Sequence, residues 1–443
     1  MKGAKISPWL WIPSLYVAEG IPYVAVNTLS VIMYKNMGMS NADVALFTGW
    51  LYLPWVIKPF WSPFVDILKT KRWWTVWMQS VIGAAFAALA FLLPLDLNVV
   101  FSLAVFWLVG FASATHDIAA DGYYMIALDS SDQSLFVGIR SAFYRLATII
   151  GQGGVVMAAG YLESATGNVP LAWSITFTVL SVFFIGVAFY HSRIMPRPDS
   201  DKASCRVDNG TMTDSKPASV REILVEFAGT FRSFFRKKEV LTAVAFILLY
   251  RFPEAQLVKI INPFLLDPAE EGGLGLGTSQ VGFVYGTIGI VGLTLGGILG
   301  GILVSRYGLR KCLWPMALSL TLPCAVFCWM SMAQPDVSSA LNMFLVNACV
   351  FVEQFGYGVG FTSFMLYMMY FSQGPSQTSH YAICTAFMAL GMMVPGMFAG
   401  ILQEKMGYVN FFWWIMLCCI VTLGVTALIK VDPSYGRKDR SAE

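Results

Sequence analysis

Nine ionisable side chains lie inside long apolar stretches of this sequence. A charge at the centre of a lipid bilayer costs about 2.5–3.5 kcal/mol, so each of these groups should face a polar cavity or an opposite charge. Buried carboxyl groups suit proton transfer, and an arginine offers a planar, permanently charged fork to carboxylates or phosphates. The nine are Glu19, Lys58, Asp117, Asp121, Arg145, Arg251, Glu254, Lys259 and Glu353.

The composition places these charges in a membrane protein, because 57% of the 443 residues are apolar and only 12% are charged. A bilayer core needs about 20 apolar residues per helix. Windows of that length predict an all-α membrane protein with 12 transmembrane helices. The predicted spans are 9–34, 43–65, 74–94, 99–128, 136–161, 170–193, 239–266, 279–304, 312–332, 338–371, 378–402 and 409–430.

The basic residues predict the orientation of the chain. Of 29 Lys and Arg residues, 23 fall in the termini and loops of one side, among them Arg140, and only Lys35 and Lys405 fall on the other. Cytoplasmic loops carry the excess of basic residues, so both termini should face the cytoplasm. The net charge of +3 is too small and too scattered to predict a nucleic-acid partner.

A polar stretch divides the predicted spans into two sets of six. Residues 1–193 and 239–443 should each form a six-helix bundle, with residues 194–238 as a cytoplasmic linker. Residues 139–154 and 383–398 share Ile, Ala, Phe and Leu at matched places, which indicates duplication.

The end of the linker, residues 221–238, carries phenylalanines near one helical face with basic residues around them. This pattern predicts either an amphipathic helix on the membrane surface or a solvated helix that leads into span 7.

The first spans of the two halves carry acids beside prolines, which remove a backbone donor and interrupt a helix. Glu19 is followed by Pro22, and Glu254 follows Pro253. Interrupted helices at corresponding places in two repeats indicate the binding site of a transporter. Arg251 lies three residues before Glu254, so both share a helical face that should line the cavity.

Asp117 and Asp121 lie four residues apart in span 4, and Glu353 occupies the corresponding helix of the second half. Two carboxylates on one dry face repel, so one proton should be held tightly unless Arg145 or Lys58 intervenes. The alternative is a static charge network that holds span 4 against its neighbours.

The loop between spans 8 and 9 resembles the loop signature of the major facilitator superfamily through Arg306, Gly308 and Arg310. Asp66 lies in the equivalent loop between spans 2 and 3. The superfamily's usual loop Asp is Ser305 here, and the first copy lacks the glycine spacing. The resemblance implies the major facilitator fold, two pseudo-symmetric six-helix bundles, with these residues in a conformational loop.

More specific blocks resemble the AmpG-type muropeptide permeases and the related acetyl-CoA transporters. Residues 58–66 (KPFWSPFVD) resemble the family's K-x-x-W-S-P-x-x-D, and residues 113–121 (SATHDIAAD) resemble S-A-x-x-D-I-x-x-D. Residues 144–146, 249–254 and 351–353 resemble further blocks, so the similarity covers nearly the whole chain.

This resemblance implies a proton-coupled importer of anhydromuropeptides (GlcNAc-anhydroMurNAc with or without peptide) from periplasm to cytoplasm, in the Gram-negative inner membrane, for cell-wall recycling. Aromatic side chains suit sugar rings, and basic side chains suit peptide carboxylates. The predicted substrate-binding residues are Arg145, Arg251, Lys58, Lys259, Tyr144, Tyr16 and Tyr357, and the predicted proton-coupling residues are Glu19, Asp117, Asp121, Glu254 and Glu353.

Three alternatives stay open at this point. The same fold could carry another anionic cargo: acetyl-CoA, an amino sugar such as MurNAc, or a short peptide. An intramembrane enzyme would use Asp117 and Asp121 as its catalytic pair, and a sensor would bind without flux. Three isolated histidines and eight cysteines without metal spacing predict no metal and no cofactor. We expect the protein to be a monomer in contact with membrane lipid. We do not expect it to be an enzyme.

Overall fold

The computed structural model describes residues 7–95, 99–128, 130–198, 201, 207–208, 211–212, 220–373, 377–433 and 435–436, and almost all of them are helical. The helices are α1 Ile12–Val24, α2 Ser30–Asn36, α3 Asn41–Trp50, α4 Leu53–Leu68, α5 Lys71–Leu92, α6 Val99–Ala127, α7 Ser130–Ile149, α8 Val156–Thr166, α9 Val169–Ile194, α10 Val220–Phe235, α11 Val240–Leu249, α12 Phe252–Leu266, α13 Thr278–Phe283, α14 Ile290–Tyr307, α15 Leu309–Thr321, α16 Ala325–Ala333, α17 Ala340–Ser372 and α18 Gln377–Leu428. Two short strands, β1 Val207–Asp208 and β2 Thr211–Met212, pair antiparallel.

Within the described residues, nine helical segments are long and apolar enough to cross a membrane. The predicted spans 43–65 and 239–266 are each divided between two shorter helices, α3 with α4 and α11 with α12. The last two predicted spans run together in α18, which bends at Gly407. The count of twelve spans therefore stays a prediction, although every predicted span falls on helix.

The two proline-containing first spans behave differently. The predicted interruption is confirmed before Pro253, where Arg251 leaves helical geometry with φ −99° and ψ 18°. At Pro22 the α-helix instead continues to Val24, and a π-helical turn follows over Ala25–Leu29. A π-helical turn shifts the backbone bonding by one residue, so it absorbs the irregularity without breaking the helix.

The chain forms two compact units. The first unit comprises Met1–Ser30, Ile57–Gly151 and Ala158–Gly229, and the second comprises Val31–Val56, Gln152–Met157 and Thr230–Glu443.

In the second unit, the end of the linker helix α10 is packed into the interior. Phe234 is fully buried, with ring contacts to Phe371 and Phe387. Ser233 is hydrogen-bonded to His380 at 2.8 Å. Neither alternative for the linker helix anticipated this anchorage. The side chains of its first turns, including Leu224 and Phe227, lie outside the described residues.

Glycines bring α14 and α17 into backbone contact. A Cβ added at Gly296 would lie 2.0 Å from the carbonyl oxygen of Phe355, and one at Gly358 would lie 2.2 Å from that of Leu293. In lipid the hydrophobic effect does not drive helices together. Close packing through small residues therefore contributes much of the attraction between them.

Gly296→Ala should therefore lower the free energy of unfolding by about 1–3 kcal/mol, because α14 and α17 must move apart to admit the methyl group. Thermal unfolding of the purified protein in detergent measures the effect. The matched control is Gly301→Ala in the same helix, where a Cβ meets nothing within 4 Å. That change should be neutral or stabilising by up to about 1 kcal/mol. Equal behaviour of the two variants would contradict the packing argument.

Candidate functional site

A half-buried ion pair joins α4 to α6 in the first unit. The ammonium group of Lys58 donates to the carboxylate of Asp117, and the two side chains are 29% and 22% exposed. Glu19 on α1 reaches Asp117 by a side-chain hydrogen bond. Its other oxygen, Oε2, is buried without a partner among the described residues. Two adjoining carboxyl groups need a proton or a cation between them, so this trio is equipped to hold and release one proton.

Asp121, one turn further along α6, has a different basic partner. Arg140 Nη1 donates to Asp121 Oδ1 at 2.9 Å, and the hydroxyl of Tyr16 donates to the same oxygen at 3.0 Å. The guanidinium of Arg140 also lies 5.1 Å from the ring centres of Tyr16 and Tyr124. The charge count placed Arg140 among the cytoplasmic loop residues and so missed this role. Its position inside the predicted span 136–161 was the available signal.

Two predicted substrate-binding residues, Tyr144 and Arg145, lie on α7 in different surroundings. The backbone of Tyr144 packs beside Gly20 of α1, since a Cβ at Gly20 would lie 3.2 Å from the Tyr144 carbonyl oxygen. The side chain of Arg145 is exposed. Within the described part of the chain, Arg145 forms no ion pair. Its charge is thus available to an anionic ligand.

The second unit has its own cluster around the helix break. Arg251 donates a hydrogen bond to the hydroxyl of Tyr357, and its guanidinium lies 5.2 Å and 4.9 Å from the ring centres of Tyr357 and Phe361. Glu254 and Glu353 are 5% and 2% exposed. The cluster combines a planar cation, two aromatic faces and two buried acids.

Lys259 makes its contacts away from those groups. It is 2% exposed, donates to Thr48 Oγ1 at 3.0 Å, and lies 5.3 Å from the ring centre of Tyr52. These partners belong to α3 and the turn after it, so Lys259 links α12 to the segment 31–56 within the second unit.

The predicted conformational-loop residues of the second half lie at the junction of α14 and α15. Gly308 adopts φ 83° between α14 and α15, a conformation that favours glycine. Arg306 and Arg310 are exposed beside it. The next residue, Leu309, donates its N–H to the carbonyl of Tyr435 at 3.0 Å. The side chain of Asp66 lies outside the described residues.

Two of the three histidines, His116 and His191, lie in a buried chain of hydrogen-bonded polar side chains in the first unit. Gln79 contacts His116 at 2.9 Å and His191 at 3.0 Å, and Ser14 contacts His191 at 2.8 Å. His116, Gln79 and His191 are fully buried. These hydrogen bonds connect α1, α5, α6 and α9 beside Asp117.

A polar cluster at Asp267 escaped the sequence analysis. Asp267 ends α12 and pairs with Lys35 at 2.5 Å, and it accepts hydrogen bonds from Tyr408 and from Asn41, the latter at 3.2 Å. Asn41 also donates to Gln403 at 2.8 Å. Residues from far-apart parts of the chain are thus joined inside the second unit. The single signal was the isolation of Lys35 on its predicted side of the membrane.

Asp267→Asn should lower the free energy of unfolding by about 3 kcal/mol, because it leaves the largely buried ammonium of Lys35 without its counter-charge. The thermal-unfolding midpoint in detergent reports the change. Glu270→Gln is the matched control, since Glu270 is exposed and has no ion pair among the described residues. If Asp267→Asn and the control unfold at the same midpoint, the ion pair between Asp267 and Lys35 does not stabilise the fold.

Comparison with known proteins places these features in context. The sequence model of the Major Facilitator Superfamily matches residues 15–381. The chain is 23% identical to "Putative transporter AmpG 4" of Rickettsia conorii over 92% of its own length and 93% of that protein. It is also 23% identical to "Anhydromuropeptide permease" of Escherichia coli over 95% of its own length and 79% of that protein. The predicted AmpG-type resemblance is confirmed.

Solved structures agree on the fold. The nucleoside transporter NupG superposes with a TM-score of 0.69 at 14% identity, over 95% of this chain and 99% of that one. At 14% identity this superposition is informative about the fold alone, and it agrees with the predicted major facilitator fold.

Proposed function

The chain belongs to the Major Facilitator Superfamily, and on that premise we propose that it is a proton-coupled importer of anhydromuropeptides. It is a multi-pass membrane transporter of small molecules. The observation that carries the finer proposal is the Lys58–Asp117–Glu19 trio, a set of interacting charges whose Lys58 and Asp117 lie in blocks that resemble the muropeptide permeases. Import by alternating access needs both a cargo site and a group that exchanges a proton.

The proposed cargo contacts follow from chemistry. A peptide-bearing anhydromuropeptide carries carboxylates, which suit Arg145 and Arg251, while its sugar rings suit the faces of Tyr357 and Phe361. The lysines Lys58 and Lys259 and the tyrosines Tyr16 and Tyr144 remain proposed contributors to cargo binding. The name of the Escherichia coli relative supports this cargo class over coenzyme A.

The proposed coupling residues are the buried acids. In the first unit, protonation of Glu19 or Asp117 would weaken the hold of Lys58, and Asp121 would respond through Arg140. In the second unit, Glu254 interacts with the charge of Arg251 and Glu353 with that of Glu254, so cargo carboxylates and protonated acids would balance each other's charge. A proton entering with an anion also reduces the charge that must cross the bilayer.

We propose that both termini face the cytoplasm, in the inner membrane, as the distribution of basic residues indicates. The cluster of Asp267 then lies on the periplasmic side, with Lys35.

The direct test is uptake into proteoliposomes with an imposed pH gradient, acid outside. Labelled GlcNAc-anhydroMurNAc-peptide should accumulate, and unlabelled anhydro-sugar should compete while coenzyme A should not. Uptake that ignores the gradient would remove the proton coupling. Competition by coenzyme A but not by anhydro-sugars would replace the cargo and keep the transporter.

A further inference from the structure

A cavity of about 400 Å³ opens on the first unit where α5 begins and α9 ends. Two guanidinium groups, those of Arg72 and Arg197, line it together with the carboxylate of Asp201. Trp73, Val76 and Trp77 of α5 form the adjoining apolar wall. None of these residues belongs to the proposed transport site. We call this cavity the α5–α9 groove.

The charge in the groove is positive and only partly compensated. Arg72 donates to the backbone carbonyls of Ser192 and Met195, which are neutral. Arg197 is exposed, has no ion pair within the described ranges, and lies close enough to Arg72 for the two charges to repel. An anion placed between them would relieve that repulsion.

The nearby carboxylate is already engaged. Asp201 accepts hydrogen bonds from the backbone N–H groups of Lys71 at 2.7 Å and Arg72 at 3.0 Å, so it caps the first turn of α5. Lys69 adds a further cation, since its ammonium lies 5.9 Å from the ring centre of Trp73. The groove therefore keeps a net positive field around the two guanidinium groups.

The apolar wall indicates what kind of anion fits. Trp73 and Trp77 are 39% and 53% exposed, and their rings stack with centres 5.7 Å apart. They lie at the start of predicted span 74–94, the depth at which tryptophans meet lipid headgroups. A ligand with a charged head and an apolar chain would use both walls at once, whereas a free anion would leave the tryptophans uncovered.

We propose that the α5–α9 groove binds an anionic phospholipid, with its phosphate between Arg72 and Arg197 and its acyl chain along Trp73 and Trp77. Basic pockets beside membrane helices bind such headgroups, and charge complementarity selects the anionic lipid over a zwitterionic one. This site is independent of the cargo and of the proposed proton coupling.

Native mass spectrometry of the full chain in detergent tests the site. Dioleoyl-phosphatidylglycerol should bind at least about tenfold more tightly than dioleoyl-phosphatidylcholine, and Arg197→Gln should remove about tenfold of that affinity. Arg193→Gln is the matched control: Arg193 is four residues away, lies over the ring of Phe189 at 4.6 Å, and is not part of the groove. It should leave the affinity unchanged.

A third variant separates a lipid from a soluble anion. Trp77→Ala should weaken phosphatidylglycerol binding while leaving any binding of inorganic phosphate unaltered. Equal losses in Arg197→Gln and Arg193→Gln would reduce the effect to diffuse surface charge and overturn the proposal. A second result would also overturn it. In that result the protein binds phosphatidylglycerol no more tightly than phosphatidylcholine, while it binds inorganic phosphate with an affinity that Arg197→Gln lowers.

Discussion

Replacing Lys58 by Gln should reduce gradient-driven uptake of anhydromuropeptide by about a hundredfold or more. The change leaves the carboxylate of Asp117 beside Glu19 without its cation, in a half-buried position where an unpaired charge is costly. A carboxylate in that position would take up a proton and retain it, so the trio could no longer release a proton in each cycle. Initial uptake rates in proteoliposomes measure the loss.

Two further variants separate transport from scaffolding. Lys405→Gln should transport normally, because Lys405 is exposed and forms no ion pair in the part of the chain that is described. The double variant Lys58→Gln/Asp117→Asn removes both charges, so it should recover thermal stability while remaining inactive. If the double variant regains uptake, the pair is a structural strut and the coupling role is lost.

Arg251→Gln should have the second largest effect, and it should depend on the cargo. We expect the apparent affinity for the peptide-bearing cargo to fall about tenfold to a hundredfold, because a hydrogen bond to a charged group contributes about 1.5–3 kcal/mol. Uptake of the sugar without its peptide should change much less, since the faces of Tyr357 and Phe361 remain. Concentration dependence of uptake for the two cargoes gives both values.

The conservative variant Arg251→Lys tests geometry against charge. It keeps the positive charge but loses the planar fork, so its affinity for the peptide-bearing cargo should lie between those of the wild type and Arg251→Gln. An equal loss for both cargoes in Arg251→Gln would mean that Arg251 supports the helix break rather than the cargo.

Charges inside apolar spans were sufficient to locate much of the candidate site. Of the two bases that the sequence offered to Asp117, Arg145 and Lys58, the structure places Lys58 beside it, because an acid and a base inside apolar spans of the same half have few other partners. The break before Pro253 likewise follows from local backbone chemistry. These features depend on residue type and near neighbours, which a sequence displays directly.

Features that depend on distant contacts were not accessible in this way. Arg140 rather than Arg145 holds Asp121, and these two arginines, five residues apart, lie on different faces of α7. Lys35 and Asp267 lie more than two hundred positions apart, so no local pattern connects them. The π-helical turn over Ala25–Leu29 is a third case, because the proline rule predicts an interruption near Pro22 and not a π-helical turn after it.

The most direct test of proton-coupled import is the proton flux that accompanies cargo. Liposomes containing the protein and an internal pH dye are prepared without a pH gradient, and unlabelled anhydromuropeptide is added outside. The account predicts internal acidification that follows cargo entry and is absent in Lys58→Gln. Cargo entry without any change of internal pH in the wild-type protein would contradict it.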